Sequence, residues 1–242
     1  MPLAYAHKML EAARAGGYAV AAFNVNDLEF VQAVVAAAEE ESAPTFVAVT
    51  ESALAYGGDA LARLALDIIR GASAPGELGH VARGHDRGIF TDPGEAAAFV
   101  DATGVGSLAV AVGTSHGAYK FEGEPTIDLP RLEAIAAATA VPLVLHGASA
   151  VYEDVVRALE EAGGRLPRAR GLSDELLAEA VARGVAKVNV DTDLRLAFVA
   201  AIRNYLKGDR SAIDPKKILG AAREAVREMA RRKIRGCRGA GR

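Results

Sequence analysis

Two histidines stand just past apolar runs, each followed by glycine: His116 in "AVGTSHGAYK" and His146 in "LVLHGASA". Neutral imidazoles converging from neighbouring strand ends can hold a zinc ion. A single histidine of this kind is ordinarily a hydrogen-bonded loop residue; two in the same context favour the metal. A second group lies where apolar runs give way to helical patterns: Gly147, Ala148 and Ser149, and later Asn189, Val190, Asp191 and Thr192. Backbone N–H groups and hydroxyls at a helix start bind phosphate. Glycine at 117 and 147 lets the backbone come close to a ligand. Plain helix capping by Ser149 and Thr192 explains the same residues, and both readings stand at this point.

Positioning such residues takes strands that end at one place. Apolar runs predict strands at "YAVAAFNV" (18–25), "PTFVAVT" (44–50), "SLAVAVG" (107–113), "VPLVLHGAS" (141–149, strand plus loop) and "AKVNVDT" (186–192). Between them lie helical patterns. "DLEFVQAVVAAAEEE" (27–41) puts Leu28, Val31, Val34, Val35 and Ala38 on one stripe. "SALAYGGDALARLALDIIRG" (52–71) is broken near its start by Gly57 and Gly58. "DPGEAAAFVDATG" (92–104) opens with Asp92 as N-cap, Pro93 and Glu95. "SDELLAEAVARG" (173–184) opens with Ser173 as N-cap. Further helices are read in "LPRLEAIAAAT", "YEDVVRALEEAGG", "DLRLAFVAAIRNYL" and "PKKILGAAREAVREMARR".

Uniformly apolar strands that alternate with helices predict a parallel sheet covered by helices, an α/β fold. Asn24, Thr50, His116, His146, Asn189 and Asp191 all fall at or just past strand C-termini. A closed (β/α) barrel gathers those ends at one mouth, where active sites are built. No GxGxxG or GxxxxGK[ST] follows the first strand, so the usual nucleotide fingerprints are missing.

The chain has 242 residues, 51% of them hydrophobic, with a formal net charge of −3. That balance points to neither nucleic acid nor a membrane surface as partner. No apolar run reaches the roughly 20 residues of a membrane span, and the N-terminus lacks the pattern of a signal peptide. One cysteine, Cys237, excludes an internal disulfide framework and predicts a reducing, cytoplasmic location. It sits in "RRKIRGCRGAGR", a basic tail from about 231 that reads as a solvated terminus.

The motifs "GTSHGAYK", "PLVLHGAS" and "GVAKVNVDTDLRLAF" resemble those of the class II, metal-dependent fructose-bisphosphate aldolases, and the similarity runs over nearly the whole chain. Tagatose-bisphosphate aldolases share the motifs. The resemblance implies a single TIM (β/α)8-barrel domain over 1–242 and reversible cleavage of fructose 1,6-bisphosphate to dihydroxyacetone phosphate and glyceraldehyde 3-phosphate. That is a step of glycolysis and gluconeogenesis. It implies His116 and His146 as ligands of Zn2+ or another divalent metal, Glu77 as a carboxylate near the metal, and a monovalent cation as a further candidate. It assigns Gly117, Gly147, Ala148, Ser149, Asn189, Val190, Asp191 and Thr192 to dihydroxyacetone phosphate, and Asn24 and Thr50 to substrate contact. The implied partners are sugar phosphates and further copies of the chain in a homo-oligomer.

One part of the family pattern is missing. An HxDH-type segment at the end of the third strand supplies a further zinc histidine and the proton-donating aspartate, and this chain has none. "SAP" (73–75) resembles the start of the third strand and "GELG" (76–79) the end of the fifth. The third and fourth β/α units are expected to be absent between Pro75 and Gly76, about 60 residues at roughly 30 per unit. This predicts an incomplete barrel of five clear strands, no identifiable catalytic acid and impaired activity. A chain that only binds phospho-sugars, or pairs with an intact copy, is the alternative. His80 and His85, in the glycine-rich stretch beside the junction, read as bystanders off any strand end.

Overall fold

Apolar runs of five or six residues cannot hide both faces unless strands lie side by side with helices packed over them. The structure, a computed structural model, describes residues 4–71, 76–81, 90–114, 125–166 and 169–242, with the backbone alone for 76–81. Its strands are β1 (Val20–Asn24), β2 (Thr45–Thr50), β3 (Gly76–Val81), β4 (Leu108–Val110), β5 (Leu143–Leu145) and β6 (Val185–Val190). They form one parallel sheet in the order β3-β2-β1-β6-β5-β4. Among the described residues six strands replace the five expected. The added one, β3, covers "GELG", read as resembling a strand end, and extends through His80, which therefore belongs to a strand rather than lying off any strand end; His85 lies outside the described residues.

Among the described residues β3 pairs with β2 alone and β4 with β5 alone. Among the described residues the sheet therefore has two rims, as expected of an incomplete barrel of the aldolase type. β3 starts at Gly76, next to the proposed junction, and its ladder runs from Thr45↔Gly76 to Thr50↔Val81. It takes the place beside β2 that a third strand would hold.

The register fixes which residues share a face, because in-register parallel neighbours point the same way and alternate along each strand. Ala22 pairs with Phe46 and with Asn189, and Asn24 pairs with Ala48. Asn24, Thr50 and Asn189 therefore share the inner face, near the strand C-termini. The outer face carries Ala21, Phe23, Val47, Val49, Val188 and Val190, all in the main core. At β4 the inner-face residue Ala109 is exposed while Val110 on the outer face is buried. The inner face is thus open at that rim.

The helices are α1 (Ala6–Gly16), α2 (Leu28–Glu40), α3 (Glu51–Gly71), α4 (Pro93–Thr103), α5 (Leu129–Ala138), α6 (Glu153–Glu161), α7 (Asp174–Ala182), α8 (Thr192–Gly208) and α9 (Pro215–Gly236). The predicted caps are in place: Asp92 accepts from the N–H groups of Gly94 and Glu95, and Ser173 from Leu176. The break expected in α3 is a kink at Gly58, whose φ of 61° suits glycine. α1 was absent from the sequence reading. It places Met9, Leu10 and Ala13 against Tyr18, Val20, Ala22, Phe46 and Ala186, sealing the N-terminal end of the inner face.

The expected solvated tail is a correction. α9 continues to Gly236, and Lys233, Ile234 and Cys237 are buried. α9 lies along α2 and α8. Arg231 and Arg235 both bond Glu41, the Ala19 N–H donates to the Cys237 carbonyl at 2.9 Å, and the Gly241 N–H to that of Glu41 at 2.8 Å. Apolar residues at helical spacing, Val226, Met229 and Ala230, hold this helix on the core.

Candidate functional site

β1 and β6 are adjacent, so their C-terminal ends bring two asparagines, Asn24 and Asn189, onto one face. Asn24 Oδ1 and Asn189 Oδ1 are both buried with no hydrogen-bond partner among the described residues. Buried polar atoms are nearly always paired, so two orphaned acceptors on one face at one end of a sheet could accept hydrogen bonds from a ligand's donors. Thr50 is differently employed. Its Oγ1 accepts the Ala53 N–H at 3.2 Å and lies 3.0 Å from Ser52 Oγ, so it caps α3.

The loop after β5 carries half-buried His146, then Gly147, Ala148 and Ser149, all three buried. Gly147 has φ 67°, which a side chain would resist. Ser149 does not cap the following helix: α6 is preceded by Tyr152, which makes no side-chain cap bond. Thr192 is the first residue of α8, and Asp191 before it gives no side-chain cap bond either. Asp191 Oδ1 instead lies 2.8 Å from Arg195 Nε. Plain capping therefore fails to account for Ser149 and Thr192. The N-terminus of α8, without a side-chain cap, has the N–H groups and dipole that can take an anion.

Asp193 and Lys233 escaped the sequence reading. Asp193 accepts the Ala150 and Val151 N–H groups at 2.9 and 2.7 Å. Lys233 stands 3.4 Å from Asp193 Oδ2. The signal for Lys233 was its place on the Val226, Met229, Ala230 stripe, where a charge needs a buried partner. Nearby, the Tyr152 hydroxyl donates to Asp174 at 2.6 Å, and burial with that bond pushes its ionisation up. Arg232 covers the Tyr152 ring. Cys237 is buried and its thiol is pushed up to about 12, which makes it inert rather than nucleophilic. Burial raises the Asp27 carboxyl, opposed by the Phe30 N–H that it accepts as cap of α2.

The metal expectation is only partly placed. His146 is described, but His116 and Gly117 lie outside the described residues, and of Glu77 only the backbone, in β3, is described. Among the described residues no three His, Cys, Asp or Glu side chains gather. A catalytic zinc takes about three protein ligands and an open position, so the described side chains do not by themselves fit one. A groove of about 380 Å³ between α6, α8 and α9 is lined by none of the expected site residues.

The family model for fructose-bisphosphate aldolase class-II matches residues 4–75 and 69–242. The chain belongs to the class-II fructose-bisphosphate aldolase family. A fructose-bisphosphate aldolase of Thermus caldophilus is 38% identical over 290 aligned positions, covering 94% of this chain and 95% of the relative. One of Giardia intestinalis is 33% identical over 306 positions, covering 100% and 94%. Among solved structures, the YdjI aldolase of Escherichia coli K12 superposes with a TM-score of 0.81 at 24% identity, covering 99% of each chain. The fructose-bisphosphate aldolase of Campylobacter jejuni gives 0.72 at 16% identity, covering 96% and 94%. Those two likenesses concern the aldolase fold. Family members generally use a divalent metal and act on sugar phosphates. Among the described residues no helix is long and apolar enough to cross a membrane.

Proposed function

We propose that this chain is a ketose-bisphosphate aldolase of reduced turnover, with fructose 1,6-bisphosphate as substrate. It would hold the dihydroxyacetone phosphate half in the loop Gly147, Ala148, Ser149 and in Asn189, Val190, Asp191, Thr192, with Asn24 completing the contact. The observation that carries this is the pair of orphaned acceptors, Asn24 Oδ1 and Asn189 Oδ1, beside the start of α8. Hydroxyl groups of a triose are donors of the kind these atoms lack, and the helix start suits the phosphate. Thr50 and Gly117 are the remaining contacts of the proposal. Tagatose 1,6-bisphosphate differs only in stereochemistry and is the alternative substrate.

For the metal, zinc first among divalent ions, we assign His146, with His116 and Glu77 as its companions. That set is one histidine short of the set the family resemblance implies, so no step of the reaction is derived through it. The monovalent cation is a further candidate near the phosphate. The catalytic proton donor is unassigned, because no HxDH segment is present.

The reduced rate follows from a proposed loss of the third and fourth units at Pro75–Gly76. Two facts support it. The alignments span 290 and 306 positions against 242 residues here, so the relatives carry residues this chain lacks. The family model matches in two pieces that meet at 69–75. We read 1–242 as one domain, cytoplasmic, and assembled as a homo-oligomer, since the rims at β3 and β4 need cover.

A coupled assay for triose phosphate released from fructose 1,6-bisphosphate tests the reading. Slow turnover that needs added zinc is expected. Turnover at the rate of the Thermus caldophilus relative would refute the impairment. Binding of dihydroxyacetone phosphate with no turnover would leave a phospho-sugar-binding protein, which the missing acid favours.

A further inference from the structure

Asp193, the second residue of α8, is 1% exposed, and Lys233 on α9 is 0% exposed. Lys233 Nζ lies 3.4 Å from Asp193 Oδ2 and donates to the Ala148 carbonyl at 3.4 Å. Asp193 Oδ2 accepts the Ala150 N–H and Oδ1 the Val151 N–H. One ion pair thus grips the loop after β5 at three backbone groups, on Ala148, Ala150 and Val151. Removing two charges from water is costly, and apolar residues of similar size are often no less stable in such a place. Stability alone therefore does not account for the pair.

The loop it grips is conformationally unusual. Gly147 has φ 67° and Val151 φ 50°. A β-branched residue at positive φ is strained, and such backbone persists only where its surroundings hold it. The other flank is held as well. The Leu172 N–H donates to the Ser149 carbonyl at 3.0 Å, and a Cβ on Gly171 would come within 2.3 Å of that oxygen.

We propose that Asp193 and Lys233 are positioning residues: their ion pair sets the backbone of 148–151 in the shape that receives the substrate's phosphate. The C-terminal helix is thereby tied to the substrate loop. This rests on the phosphate reading above, and the test separates the two.

The variants are Lys233→Met, Asp193→Asn and the double variant. Three quantities are measured: thermal stability, amide exchange at Ala150, Val151 and, as internal control, Val188 in β6, and calorimetric binding of dihydroxyacetone phosphate. Misplacing a binding group by about 1 Å can cost about 100-fold, so binding is expected to weaken about 10- to 100-fold in each single variant. Exchange at Ala150 and Val151 rises while Val188 stays protected. The double variant leaves no buried charge unpaired, so it regains stability, yet it does not regain binding.

Recovery of binding together with stability in the double variant would make the pair a structural one and overturn the proposal. Unchanged binding in a folded Lys233→Met chain would do the same. If Lys233→Met does not fold, the double variant carries the same comparison; if neither folds, a pair required for the fold itself replaces the positioning role. Failure of the unaltered chain to bind dihydroxyacetone phosphate sinks the phosphate reading first, and this inference with it.

Discussion

The flank of the sheet made by β5, β6, β1 and β2 and the rims at β3 and β4 are built from the same strand-and-helix unit, but they are finished differently. On the first, α8 and α9 cover the outer face, α1 closes the inner face at its base, and an ion pair pins the loop after β5. At the β4 rim the strand has three residues, its inner-face Ala109 is exposed, and Phe99 on the adjacent α4 is half exposed. Thr91 bonds Ala111 beyond the strand's end without extending the ladder. On the proposed reading, the residues for dihydroxyacetone phosphate all lie on the finished flank and need only part of a barrel wall. The proton donor that the family resemblance implies would belong to the part proposed to be missing.

The largest test of that contrast cuts the finished flank. Ending the chain before Arg231 removes Lys233, Ile234 and Cys237, leaving Asp193 buried without its cation. Breaking such a pair costs about 3–5 kcal/mol, and lost burial of Ile234 adds about 2 kcal/mol. Together these approach the whole stability of an ordinary domain, about 5–15 kcal/mol. Urea titration should find no cooperative transition. In contrast Ala109→Lys at the open rim should leave the midpoint within about 0.5 kcal/mol of its starting value. A destabilised Ala109→Lys chain would mean that rim is covered, for example by another copy.

The second test rebuilds the rim. Inserting the missing segment of the Thermus caldophilus relative at the Pro75–Gly76 bond should raise kcat by about 100- to 10,000-fold, the usual worth of a positioned acid or base. Affinity for dihydroxyacetone phosphate should change little, because its loops lie on the finished flank. A large gain in affinity with no gain in kcat would reverse the assignment of the two regions.

A milder comparison uses one substitution in two places. Leu145 in β5 is fully buried, while Leu108 in β4 is only partly so. Leu145→Ala should cost about 2–5 kcal/mol and Leu108→Ala about 1 kcal/mol or less, read from chemical unfolding. Equal costs would show that β4 is packed as tightly as β5.

The legibility of these regions in the sequence follows the same division. Strand-end residues such as Asn24 and Asn189 were readable because uniformly apolar strands ending in a polar residue have one ordinary explanation in a parallel sheet. Asp92 and Ser173 were readable because capping is local. α1 was not: its N-cap Tyr5 makes no side-chain bond, and its buried Met9, Leu10 and Ala13 form too short a stripe. β3 was legible only as a family-like strand end at "GELG", not by pattern, because "GELGHV" has two glycines and little β-branched character; its backbone ladder to β2 is what places it. Lys233 was hidden because a lysine reads as surface until a carboxylate 40 positions earlier is brought against it.

The smallest effect contrasts two ion pairs. Glu41, whose side chain is 8% exposed, bonds Arg235 and Arg231 from α9. The Arg235 hydrogen bond chiefly holds its carboxyl below the ordinary 4.5, against the opposing effect of burial, with Arg231 adding to the depression. A carboxylate with a depressed folded value binds fewer protons folded than unfolded, so stability rises with pH through that window. The contribution is complete above about 4.5 and is lost as pH falls through the lower folded value. On α3, toward the β3 rim, Asp59 and Arg63 face each other at 3.7 Å with side chains 88% and 78% exposed. Glu41→Gln should cost about 1 kcal/mol at neutral pH, and the gap should close on acidification below the ordinary carboxylate range. Asp59→Asn should leave the stability curve unmoved at every pH. Equilibrium unfolding from pH 3 to 8 on both variants decides it: parallel curves for Glu41→Gln and the unaltered chain would remove the α9 clamp from the list of differences between the two flanks.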